Sequence, residues 1–203
     1  MTIGNKRRSV TALGLSVIVG VWSSAGWAAA PAANWGLEEL MQSLAQVKSA
    51  KGKFVERKYL SILNAPLELS GTLSYSAPGR LEKHTLAPKP ESLVLDGDQI
   101  TLEDKVRKQR RTLVLQDYPV LWAFVESIRS TLAGDLKTLN RFYLVDLQGD
   151  EPQWRLILKP RESRMQAMVS EIRIGGSGQS IRTIEILEAG GDRSVMTVTE
   201  DNR

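Results

Sequence analysis

The apolar positions along the chain change period several times. Across residues 35–48, Leu37, Leu40, Met41, Leu44 and Val47 recur at helical spacing, with Glu38, Glu39, Gln42 and Gln46 on the other side. A single apolar stripe of this kind predicts an amphipathic helix. The period then drops to two. A mixed strand is predicted over residues 51–60. Next, Leu67, Leu69, Gly71, Leu73 and Tyr75 alternate with Glu68, Ser70, Thr72 and Ser74, the pattern of a half-buried strand with one face in water. The turn Ala77-Pro78-Gly79 predicts an antiparallel return over residues 80–86. Pro88 and Pro90 break the chain, and short strands at 92–95 and 99–103 flank the hairpin signal Asp96-Gly97. A strand over 106–115 continues the meander. Pro119 opens a second helix carrying Leu121, Phe124, Val125, Ile128 and Leu132, with Gly134 placed to stop it. Strands resume at 142–148, 153–159, 167–174, 181–188 and 194–200. Turns are predicted between them at Gly149-Asp150, Gly175 to Gly178 and Gly190 to Asp192.

The pattern therefore predicts a mainly β, α+β chain of about ten or eleven antiparallel strands and two helices, because connections this short leave no room for parallel crossovers. A sheet of that many strands curls, splits or closes. Its apolar face must be covered, and only the two helical stripes are available, so the economical solution is a curled sheet with helices across its mouth. Periodicity does not decide whether the interior is filled or left partly empty.

The N-terminus changes the expected compartment. Lys6, Arg7 and Arg8 precede an apolar run from Val10 to Trp22, followed by small residues up to Ala30. That is the composition of a secretory signal peptide, with cleavage expected after Ala28. The run of roughly 13 apolar residues falls short of the ~20 that span a bilayer, which argues against an anchor. Arg7-Arg8 leaves a twin-arginine signal open, although ordinary Sec export fits better. The expected organisation is a signal peptide over 1–28, a tether over 29–34 and one domain over 35–203, working as a monomer in the periplasm. Without cysteine, the chain carries neither a disulfide nor a lipid-attachment site of its own.

Charge and candidate chemistry narrow the function. The chain has 27 basic and 23 acidic residues, net +4; loss of Lys6, Arg7 and Arg8 leaves 24 and 23, net +1. That balance argues against a nucleic-acid partner. A lone His84 and no cysteine exclude the usual zinc ligand sets. His84 shares a strand face with Glu82, which is the sequence's only hint of a general base. No Gly-x-Ser-x-Gly accompanies it, so no enzyme and no cofactor is expected. Gly175-Gly176-Ser177-Gly178 lacks the strand-to-helix context of a phosphate loop. The densest charge run holds Lys105, Arg107, Lys108, Arg110 and Arg111. Read as a strand, it puts Arg107 and Arg111 on one face and Lys108 and Arg110 on the other. It is either a charged edge strand or a docking patch for anionic headgroups or an acidic partner.

An ordered set of motifs resembles the LolA family of periplasmic lipoprotein carriers. Phe54-Val55-Glu56 is similar to the family's Phe-x-Gln, and Gly71-Thr72-Leu73 with Pro78 and Leu81 is similar to its Gly-x-Leu strand and following turn. Asp96-Gly97 matches the family hairpin. Trp154 to Pro160 resembles a later strand ending in proline, and Asp192 to Val198 the closing strand. Three departures stand out: Glu56 replaces the usual Gln, Ala77 stands where the family has a lid-bracing Arg, and no long C-terminal extension follows.

The resemblance implies an incomplete, curled β-barrel with a helical lid. It implies binding of lipoprotein or lipid acyl chains, receipt from an inner-membrane donor and delivery to an outer-membrane acceptor, with transient membrane contact at most. On that basis the cavity is expected to be lined by Phe54, Leu69, Leu73, Tyr75, Leu81, Leu93, Leu95, Leu121, Phe124, Val125 and Ile128. Ordinary core is the competing reading for each of them. A non-catalytic interaction module of an envelope complex is the competing reading for the whole chain.

Overall fold

Eleven strands form a single antiparallel sheet in a computed structural model that describes residues 35–201. The signal peptide and tether expected over residues 1–34 lie outside the described residues. Helix α1 (Leu37–Leu44) leads into six strands: β1 (Ser49–Tyr59), β2 (Leu67–Ser76), β3 (Arg80–Ala87), β4 (Glu91–Asp96), β5 (Gln99–Asp104) and β6 (Gln109–Val114). A 3₁₀ turn, Leu115–Asp117, passes into α2 (Pro119–Ala133) and α3 (Leu136–Phe142). The chain then runs through β7 (Tyr143–Asp150), β8 (Gln153–Pro160), α4 (Ser163–Gln166), β9 (Val169–Ser177), β10 (Ser180–Glu188) and β11 (Arg193–Glu200).

The sheet order is β6-β5-β4-β3-β2-β1-β11-β10-β9-β8-β7. Two meanders thus join where β11 pairs with β1, with Phe54 opposite Val198. Strands β6 and β7 are the two edges and do not pair, so the barrel is incomplete. The chain between those edges is the helical layer. The architecture is the curled sheet and helical lid that the strand count predicts.

Cross-strand rows put the apolar residues on the inner face. Ala50, Tyr75, Leu81, Leu95 and Ile100 stand opposite one another along one row. In the other meander Met196, Ile184, Ile174, Leu156 and Leu147 form a second. The main core lies under α1 and α3, where Leu40, Met41, Leu44, Leu139 and Phe142 pack with Trp154, Leu158 and Ile172. A smaller core joins Leu95, Ile100 and Leu115 to Val125 of α2. Trp35 and Trp122 pack against the main core, with Trp122 edge-on to Phe142 at 5.5 Å between ring centres.

Several sequence expectations need correction. Helix α1 is shorter than residues 35–48, because the chain turns after Leu44 and joins the sheet at Ser49. Among the described residues there are four α-helices rather than two. Phe142 ends α3 instead of opening a strand, which starts one residue later at Tyr143; Asp135 begins that helix by accepting from the Thr138 backbone N–H at 2.9 Å. Gly149-Asp150 and most of Gly175 to Gly178 are strand, with the turns displaced to Glu151-Pro152 and Gly178-Gln179. The expected strand over 106–115 begins only at Gln109. Asp104 Oδ1 accepts the backbone N–H groups of Val106 and Arg107 at 3.0 and 2.9 Å, which closes a turn at the head of the basic run.

Two glycines fix close approaches. A Cβ at Gly71 would meet the Phe54 ring at 2.9 Å and the His84 carbonyl oxygen at 1.9 Å, so the absent side chain lets Phe54 lie flat on the sheet. Gly134 ends α2 at φ 67°, and a Cβ there would stand 2.1 Å from the Met41 carbonyl oxygen of α1. Left-handed backbone costs an L-residue about 1–2 kcal/mol before any clash is counted. Gly134→Ala is therefore expected to lower unfolding free energy by more than about 2 kcal/mol, read from urea midpoints. An unchanged midpoint would show that α1 and α2 are not held this tightly.

Candidate functional site

Between the inner face and α2 lies a cavity of about 380 Å³. Strands β1 to β5 supply one wall, including Leu73, Tyr75, Leu81, Leu93 and Leu95. Helix α2 supplies the roof through Leu121, Phe124, Val125 and Ile128, and Leu132 extends it. The opposite wall comes from β9 to β11, with Ile174, Ile184, Ile186, Met196 and Val198. Its size is that of a small-molecule pocket, ~300–1,000 Å³.

Nine of the eleven residues expected to line a cavity therefore face this one. Phe54 shares the inner face but is covered, 1% exposed, with its ring against Gly71. Leu69 faces an adjoining groove of about 300 Å³ rather than the main cavity. The contributions of β9 to β11 were not named from the sequence. Their alternation was legible, but nothing local tells which sheet half faces α2.

The wall carries one polar cluster. Glu56 is 4% exposed, and its Oε1 accepts from Ser194 Oγ at 2.7 Å. Its other oxygen is ion-paired with Lys83, whose ammonium lies 4.8 Å from the centre of the Phe54 ring. Lys58 Nζ stands 3.7 Å from Glu56 Oε1. Burial pushes this carboxyl up. The hydrogen bonds from Lys83 and Ser194 and the charges of both lysines outweigh burial and hold it below the usual carboxylate range. Lys58, Lys83 and Leu93 border both the cavity and the adjoining groove, so the polar cluster marks where the two meet.

The roof is tied down from the helix side. Arg129 of α2 donates from Nη1 to the Gly97 carbonyl oxygen at 3.0 Å, and it is ion-paired with the buried Glu126. Glu126 also accepts from Trp122 Nε1 at 3.1 Å. At the other meander, Tyr143 Oη donates to the Ala123 carbonyl oxygen at 3.0 Å. Arg129 lies over Gly79 of the β2–β3 hairpin, next to Ala77 in the chain, while it bonds the β4–β5 hairpin. A single arginine inside an amphipathic stripe gives no hint of this role in the sequence.

The basic run does not form a single strand. Lys105, Arg107 and Lys108 occupy the turn between β5 and β6, where Lys108 has φ 54°; only Arg110 and Arg111 lie on β6. Arg111 follows Lys83, Leu93 and Leu102 along one inner-face row, and Arg110 is on the other face. His84 pairs with Glu82 at 3.0 Å on the outer face of β3, remote from any nucleophile arrangement. Among the described residues no group of three or more His, Asp or Glu stands close enough to hold a metal ion. The arrangement suits burial of an apolar group with few directional bonds.

A family model described as outer membrane lipoprotein carrier protein LolA-like matches residues 28–199. An outer-membrane lipoprotein carrier protein of Ralstonia nicotianae is 33% identical over 105 residues, 49% of this chain and 46% of that one. A protein of the same description from Dechloromonas aromatica is 22% identical over 167 residues, 82% of this chain and 77% of that one. The chain thus spans less than half the length of the first relative. Among solved structures, a LolA superfamily protein from Nitrosomonas europaea aligns with TM-score 0.40 and 7% identity, covering 81% of this chain and 91% of that one.

Proposed function

The chain belongs to the LolA-like family of outer-membrane lipoprotein carriers, and from that premise we propose that it is a periplasmic, non-catalytic carrier of acyl chains. It receives a lipoprotein or lipid at the inner membrane and releases it towards the outer one. The observation that carries this reading is the apolar cavity between α2 and the inner face of the sheet. Each methylene transferred from water is worth about 0.8 kcal/mol, so a sixteen-carbon chain stands on the order of 12 kcal/mol uphill in water. Such a molecule crosses an aqueous compartment only under cover. Leucine, isoleucine and valine walls supply that cover without directional bonds that would oppose release.

The direct test is native mass spectrometry of protein isolated from periplasm, with binding of an apolar dye by delipidated protein alongside it. Bound lipid and saturable dye uptake are the expected results. Absence of both would sink the carrier reading. A second reading, a module that holds an envelope complex together, draws on the unpaired edges β6 and β7. It gains if a stable protein partner is retained on pull-down with no lipid bound.

The roof gives a kinetic prediction. Removing the hydrogen bond from Arg129 to Gly97 takes away about 1 kcal/mol of closure. Arg129→Ala removes that bond and also leaves the buried Glu126 without its cation, so bound dye should leave at least about fivefold faster in stopped-flow displacement. An unchanged release rate would mean that α2 is not what retains the ligand.

A further inference from the structure

The antiparallel order sends alternate connections to opposite ends of the sheet, and the two ends differ in chemistry. One end carries the loops 60–66, 88–90, 105–108, 161–168 and 189–192. Those loops hold six cations, Lys89, Lys105, Arg107, Lys108, Arg161 and Arg164, against two anions, Glu162 and Asp192. At the other end the strand connections at 45–48, 77–79, 97–98, 115–118, 151–152 and 178–179, with position 201, hold Lys48 against Asp98, Asp117, Glu151 and Asp201. The exposed apolar residues sort the same way. Of eleven large hydrophobic side chains exposed among the described residues, seven lie at the basic end: Ile62, Leu63, Leu67, Leu86, Val106, Leu144 and Met168. Ile62 is the extreme, 87% exposed at the tip of the β1–β2 hairpin.

We propose that this end of the sheet is a membrane-docking rim, whose apolar tips enter the interface of a bilayer rich in anionic phospholipid while its cations meet the phosphates. Ile62 with Leu63, Val106 and Met168 stand on three separate loops, and Leu67, Leu86 and Leu144 on the adjoining strand ends, so several apolar side chains can enter one interface together. Lys105, Lys108 and Arg164 have no side-chain partner among the described residues, so their charge is available to a surface. Of the residues where cavity and groove meet, Lys58, the penultimate residue of β1, stands nearest this end, while Lys83 and Leu93 are mid-strand. The inference goes beyond the carrier reading and does not depend on it, because dye uptake and membrane binding are separate measurements.

The experiment is co-sedimentation of the purified protein with vesicles of equal parts phosphatidylcholine and phosphatidylglycerol, and with phosphatidylcholine alone. Binding to the anionic vesicles, weakened by salt, is expected, with far less on the neutral ones. A cation close to an anionic surface contributes about fivefold, so Lys105→Glu with Lys108→Glu should weaken binding by more than about tenfold. Ile62→Asp should weaken it independently, and Glu151→Lys at the opposite end should not. All these variants should take up apolar dye as the wild type does, which separates loss of the rim from loss of the fold. No pelleting of the wild type, equal pelleting on neutral vesicles, or equal pelleting of the Lys105/Lys108 double variant would overturn the proposal. So would a protein partner lost in the same variants without vesicle binding.

Discussion

Phe124→Asp should abolish measurable uptake of an apolar dye, and Leu73→Asp should reduce it more than about tenfold, while Arg107→Glu leaves it unchanged. Phe124 hangs from the middle of α2 into the cavity and touches both core clusters. Leu73 faces it from β2, in the row that also holds Lys83. A carboxylate at either position stays ionised only by drawing water into the space the ligand needs. Arg107 lies in the β5–β6 turn, outside the cavity lining. Titrating each variant with dye, beside its thermal melt, separates the effects. Equal loss in all three with lowered melts would mean misfolding, and intact uptake by Phe124→Asp would remove α2 from the site.

The second large effect concerns Glu56. Glu56→Ala leaves the part-buried Lys83 ammonium beside the Phe54 ring with no carboxylate, a loss of charged hydrogen bonding worth about 1.5–3 kcal/mol. Replacing both partners, Glu56→Leu with Lys83→Leu, should recover most of that loss, because matched apolar groups avoid the desolvation the pair suffers. Urea unfolding of the single and double variants checks both statements. The pH dependence follows from the lowered carboxyl of Glu56. Its contribution is complete above the ordinary carboxylate value of 4.5 and is lost as pH falls below that value and through the lower folded one. Glu56→Gln keeps the hydrogen-bonding shape without the charge, so its stability should vary less over that acid range. An acid profile identical to wild type would show that the carboxylate is not what titrates.

Most of the sheet was legible because alternation is a local signal. Leu67 to Tyr75 declared both its strand and its inner face, and Pro119, Gly134 and the stripe between them declared α2. What escaped was non-local or too short. Helix α3 has seven residues, too few for periodicity, although Asp135 with Thr138 three positions later was a readable cap. The inward aim of Lys83 was implicit in its place between Leu81 and Thr85, yet a strand lysine reads as solvent-facing until Glu56, 27 positions away, is known to stand across from it. The basic run misled for the opposite reason. Its composition suited an edge strand, but Asp104 captured two backbone donors and bent the chain first. Cavity residues were named by family resemblance and alternation together. Their Cβ directions came from the sequence, whereas the empty volume in front of them is a property of the packed whole.

On the carrier reading, the unpaired margins of β6 and β7 bear on how large a passenger can be. Every strand-to-strand bond in the molecule lies on one side of that seam, and only helices bridge it. The girth of the molecule can therefore widen by letting the two margins part and α2 ride outward, with all ten ladders intact. A closed barrel of fixed circumference would have to break strand-to-strand bonds to admit one more tail; here parting the margins would instead cost the packing beneath the helices and the bonds from Arg129 to Gly97 and from Tyr143 to Ala123 that tie α2 to each half.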